Sequence, residues 1–294
     1  MVFVPRRSPV RVSVDRARIE EIEAERPRYA ALLEERTATA GACLDEVYRP
    51  VLETLAAAPD CDWLWGWESW VLATQYHHAV VALGTAPRGT EFEWRVEHGD
   101  RRLTSPGPMA AADASAWTRA FFLALVGRDE KRVRDLASIP VERLREAGGA
   151  AHPAYLHHWV GALQALVNGD DRIVPHLRSA MELSDPRQPG ADLPALELDL
   201  LVFPQLDLLR AFLGGEPEEF ERILVRGLES FGEYHARSAG RGDPLAEVLP
   251  LGLLGLAGLA FDRVDHDPGY RMDVRSDYLP RALLERSWQG EFPV

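Results

Sequence analysis

The 294-residue chain has almost no lysine, little cysteine and a deficit of positive charge. Lys131 is the single lysine, so the basic side chains are otherwise arginines, a usage that reflects a GC-rich coding sequence more than a mechanism. With 33 Lys and Arg against 46 Asp and Glu, the formal net charge is −13. A surface of that sign lacks the basic footprint that phosphate backbones need, which excludes nucleic acid as a direct ligand. Cys43 and Cys61 fall on different predicted helices without metal-ligand spacing, so they form no disulfide framework and read as free thiols in a reducing compartment. The opening MVFVPRRSPVRVSV has no apolar core of a signal peptide. The longest apolar run, VLPLGLLGLAGLAF over 248–261, falls short of the roughly 20 residues a bilayer span needs. A cytoplasmic protein without a membrane partner is therefore expected. Also missing are G-x-S-x-G, H-E-x-x-H, a Walker loop, C-x-x-C and a dinucleotide fingerprint, which excludes the enzyme classes those motifs carry. No catalytic or cofactor-binding residue is assigned, and none as a metal ligand.

What the chain does contain is helical periodicity broken by glycine. Between Pro153 and Leu183, the residues Tyr155, Trp159, Ala162, Leu163 and Leu166 share one helix face. Gly169 ends that helix, Asp170 or Asp171 offers a cap to the next, and Ile173, Leu177, Ala180 and Met181 form the second apolar face. The same punctuation recurs at Gly84, Gly127 and Gly214, at intervals of 43, 42 and 45 residues. That period is in the range of two-helix repeat units. The fold predicted is mainly α, a TPR-like α-solenoid of stacked helix pairs, forming one domain over 1–294. Residues 1–58 supply an extended arm and a helical cap, with one helix from Asp15 to Pro27 and another ending at Pro50; 60–262 carry the repeats, and 263–294 form a tail tied down by Trp288 and Phe292. Gly252, Gly255 and Gly258 recur at every third position of the apolar run, which suits close approach of a neighbouring helix better than a phosphate loop.

Two stretches depart from this regularity. Trp63, Trp65, Trp67 and Trp70 crowd the start of one helix. Three of them share a face at i, i+4 and i+7, leaving Trp65 as the candidate for the surface. Between Gly84 and Pro106 the period changes to two, with Phe92, Trp94 and Val96 alternating with Glu91, Glu93, Arg95 and Glu97 before a His98-Gly99 turn. This is the pattern of a β-hairpin near 91–103 inserted into the helical scaffold. An insertion not needed for stacking is where recognition tends to sit, so Trp65, Glu91, Glu93 and Glu97 are the candidate partner-binding residues, against the plainer reading that the charges only solvate a strand face. The adjacent pairs His77-His78 and His157-His158 raise a metal site completed by Glu68 or Asp113, and Asp262, Asp265, His266 and Asp267 raise a second. Hydrogen-bonded helix histidines and a solvated loop are the commoner explanations.

The segments FFLALVGRD, LASIPVERLR, AYLHHWVGALQAL, PQLDLLRAFLGGEPEEFERILVRGLESF and SDYLPRALLERSW, spread over roughly residues 60–290, resemble the bacterial immunity protein 49 family. The resemblance implies an all-α protein encoded beside a polymorphic toxin, which it neutralises by direct binding. It supplies no catalytic residues. The expected partner is therefore a protein toxin, basic to match the acidic chain. The alternatives are a helical-repeat scaffold or an enzyme of natural-product metabolism with a histidine-lined pocket.

Overall fold

A computed structural model describes residues 2–7, 12, 14–148, 152–187, 193–238 and 242–288. The helices that begin at residues 16, 114 and 130 start where aspartates accept hydrogen bonds from open amides: Asp15 from Arg18 N (2.9 Å), Asp113 from Ala116 N (2.8 Å) and Asp129 from Arg132 N (3.0 Å). In chain order the elements are β1 (Val2–Val4), α1 (Arg16–Glu35), α2 (Leu44–Ala57), α3 (Leu64–Thr85), β2 (Glu91–Val96), β3 (Gly99–Thr104), α4 (Ala114–Val126), α5 (Glu130–Ala137), α6 (Val141–Gly148), α7 (Ala154–Asn168) and α8 (Ile173–Leu183). There follow α9 (Ala195–Glu197), which passes through a π-turn at Leu198–Val202 into α10 (Phe203–Gly214), then α11 (Pro217–Arg237), α12 (Leu251–Arg263), β4 (Val274–Ser276) and α13 (Arg281–Leu284). The fold is mainly α, with two small two-stranded sheets among the described residues.

The glycine stops hold for the later helices. Gly127 caps α4, and Gly169 caps α7 in the left-handed conformation (φ 62°), which costs glycine nothing. At the end of α10 the left-handed residue is Gly215, one beyond the position expected. Gly84 differs in kind. It lies within the last turn of α3, where its missing side chain lets Ala112 and Met109 press against the helix. The first helix also departs from expectation, because α1 continues through Pro27 and α2 through Pro50. Each proline removes one amide from a helix whose buried residues, among them Ala30, Leu33, Val51 and Leu55, hold both flanks in place.

Helix α3 is the hub. It touches α1, α2, α4, α5, α6 and β2, and its side chains are buried on every side, including Trp70, Tyr76, Val80 and Leu83. In a regular stack each pair would meet only its neighbours, and the contacts of α3 do not establish such a stack. Helices α7 and α8 do form an antiparallel hairpin, and α10 and α11 a second. Trp159, at the middle of α7, is 3% exposed and packs against Phe122 of α4.

The glycine stripe of α12 is filled as expected, each position by a different neighbour. Gly252 lies under Gln205, Gly255 under the Phe122 ring and Gly258 under the Arg128 guanidinium. The stretch 244–263 is long and apolar enough to cross a membrane, yet two-thirds of it (67%) is buried inside the protein. It is a core helix. Segments far apart in the chain meet: β1 pairs in parallel with β4, from Val2↔Val274 to Val4↔Ser276. Arg6 fastens this seam by donating to Val248 O (3.2 Å) and Asp277 O (2.9 Å). Trp288 holds the tail by donating to Cys61 O (3.2 Å), whereas Phe292 lies outside the described residues.

Candidate partner-binding surface

The hairpin forms as the alternation predicts, with Val96 buried, Phe92 and Trp94 half-buried and the intervening residues exposed. The turn is one residue earlier than expected. Val96 pairs with Gly99, leaving Glu97 and His98 in the loop, and Glu97 takes φ 57°. That conformation is costly for a residue with a side chain. It is held from two sides, by Gln75 Oε1 accepting from Glu97 N (2.8 Å) and by Arg26 binding the Glu97 carboxylate (2.9 Å).

This changes the roles of the candidate residues. Glu97 does not point outward; its side chain is 14% exposed and belongs to a triad in which buried Arg26 also binds Glu68 at 2.5 Å. Burial works against the Arg26 charge, but Glu68 and Glu97 outweigh it and raise its pKa above the ordinary value. Glu91 and Glu93 are exposed as expected, Glu93 pairing across the hairpin with Arg102 at 3.1 Å. Trp65 exchanges places with Trp63. Trp65 is 9% exposed and Trp63 39%, with ring centroids 5.5 Å apart. The i, i+4, i+7 spacing finds a core face only when a helix has a second, wet face, and α3 has none.

The histidine pairs are separated. His77 donates through Nδ1 to Ala73 O (2.8 Å) and faces the edge of Tyr48, and burial, with Arg119 next, pushes it down to about 3. His78 lies under Trp94 (centroids 5.0 Å apart), and burial, then Arg132 and Lys131, also push it down to about 3. Asp113 meets His152 at 3.4 Å rather than the α3 pair, and Glu68 is engaged by Arg26. His157 and His158 belong to α7, where burial lowers both. At the end of α12, Asp262 binds Arg128 and Arg286, and Asp265 just beyond the helix binds Arg286. Among the described residues no group of three or more His, Cys, Asp or Glu side chains is placed to hold a metal ion.

Sequence reasoning missed a cleft of about 500 Å³ between the hairpin and the helices. Its floor is the second half of α3 with His78 and Ala82, continued by Ala86 just past the helix end; one wall is the Phe92–Trp94 stack (centroids 4.4 Å apart), and the other is α5 and the turn into α6. The signal for it was present in the alternation itself, since the apolar strand face had to rest on something. What could not be read was that α5 stands far enough away to leave a gap.

A model of the family described as Immunity protein 49 matches residues 59–283. The chain belongs to the Immunity protein 49 family. No curated protein and no solved structure matches it. The Immunity protein 49 match runs from just before α3 nearly to the end of α13 and contains the hairpin and the cleft. Helices α1 and α2 lie outside the matched span, yet α1 supplies the Arg26 that holds the hairpin turn.

Proposed function

We propose that this protein is an immunity protein that binds a cognate toxin and neutralises it by direct contact in the cytoplasm. Membership of the Immunity protein 49 family carries this reading. The charge supports a basic partner: at a net −13 the chain attracts a cationic protein from beyond contact distance, which speeds encounter and makes it sensitive to salt. The exposed carboxylates of Glu91 and Glu93, beside an aromatic-walled cleft, provide the acidic rim and apolar centre of a typical interface.

The test is co-expression with the toxin domain encoded next to this gene. The expected outcome is rescue of growth and recovery of both proteins in one complex, with an association rate that falls several-fold as salt rises from low to physiological levels. Growth arrest despite full-level expression of the folded protein, with no complex recovered, would overturn the reading.

A further inference from the structure

The hairpin register decides which groups of β2 are already used. Because Val96 pairs with Gly99 across a two-residue loop, and Ser105 N donates to Thr90 O (2.8 Å), the even-numbered residues of β2 bond to β3. The N–H and C=O of Glu91, Glu93 and Arg95 are directed to the other side. No strand pairs with that edge among the described residues. The carbonyl of Arg95, near the turn, takes a hydrogen bond from Arg132 Nη2 of α5 (3.2 Å), which places α5 across the cleft from this edge and closes its far end. Of β2 the cleft is lined by Phe92 and Trp94, the residues flanking Glu93, and it is floored by the small side chains of Ala82 and Ala86.

One further group in the cleft is unsatisfied. His78 is 2% exposed, lines the cleft, and its Nε2 has no hydrogen-bond partner; Asp135 Oδ2 stands 3.7 Å away. A buried polar atom left open in this way has a hydrogen bond to give or accept.

We infer that the cleft receives an extended segment of the toxin, which adds to the free edge of β2 as a third strand. The inference rests on the immunity reading and names the part of the partner that docks. Strands pair at a spacing of about 4.8 Å, and the incoming backbone bonds to Glu91 and Glu93. Its side chains then alternate. One set turns outward beside the Glu91 and Glu93 carboxylates and is cationic; the other enters the cleft. A tyrosine-like side chain, flat along its length and hydroxylated at its end, stacks on Phe92 and Trp94 and bonds His78 Nε2. Edge addition of this kind takes affinity from main-chain bonds and specificity from the pockets beneath.

The experiment measures binding of the purified toxin domain encoded beside this gene to the full-length protein and three variants. Glu93→Pro removes an outward amide without touching the bonds to β3, a substitution edge strands accept. Ala82→Phe fills the cleft floor, and Arg102→Pro is the control on the opposite edge of the same hairpin. Glu93→Pro and Ala82→Phe should each weaken binding about tenfold or more, and Arg102→Pro by less than about threefold. Hydrogen exchange at the Glu91 and Glu93 amides of the unaltered protein should slow in the complex, a readout independent of whether the variants fold. Tight binding with those amides unprotected, or with both cleft variants binding normally, would overturn strand addition and leave the immunity reading intact. No binding by the unaltered protein would overturn both. Concentration-dependent self-association abolished by Glu93→Pro would assign the edge to a second copy and also overturn the proposal.

Discussion

Arg26 satisfies two carboxylates from inside the protein, binding Glu68 on α3 and Glu97 at the hairpin turn while itself only 7% exposed. Removing it leaves two partly buried negative charges facing each other. Arg26→Ala should destabilise the protein by about 3 kcal/mol, measured by urea unfolding, because breaking a buried pair costs more than the pair contributes. A loss below about 1 kcal/mol would show that the triad is solvated after all. His77 and His78 make a second residue-scale prediction. In the unfolded chain an imidazole protonates near 6.5, whereas burial holds these two down to about 3 in the fold. The unfolded state therefore binds more protons between those values, so stability is fully present above about pH 6.5 and falls as the pH drops toward 3. Each histidine contributes a slope of about 1.4 kcal/mol per pH unit within that window. Unfolding midpoints taken from neutral to mildly acidic pH should show the fall, and the His77→Gln, His78→Gln double variant should flatten it; an unchanged slope would refute the assignment. At this scale the sequence was only partly readable. Trp159 could be placed in the core because α7 has one wet side, whereas Trp65 and Glu97 could not be placed, since their surroundings come from residues far away in the chain.

Elements were more legible than their neighbours. Period two identifies the β-hairpin, because strand alternation depends on nothing beyond the strand itself. Glycine stops likewise mark the ends of α4, α7 and α10 locally. Pro27 and Pro50 misled because proline ends a helix only if tertiary packing does not outweigh the lost hydrogen bond. Trp159→Ala in α7 should cost about 3–5 kcal/mol, as truncation of a buried tryptophan does, and chemical denaturation will measure it. On α12, a methyl group at Gly255 would collide with the Phe122 ring. Gly255→Ala should therefore destabilise by about 1–3 kcal/mol although alanine is the better helix former. A stabilised Gly255→Ala protein would mean that α12 has room to shift.

For the whole molecule, the family match and the folding unit have different limits. The match begins at residue 59, but α1 and α2 cover α3 with Ile22, Leu33, Val47, Val51 and Leu55, all buried. A chain starting at residue 59 should lose its cooperative thermal transition and expose apolar surface to a hydrophobic dye. A sharp transition in that fragment would show that the first two helices are an accessory. The seam of the molecule carries a different consequence. Val2–Val4 pair with Val274–Ser276, so β1 cannot find its partner until the chain has been made through β4. The helices between them are free to pack during synthesis, before the seam can close. A nascent chain therefore carries the β1 edge unpaired until residues 274–276 have been made.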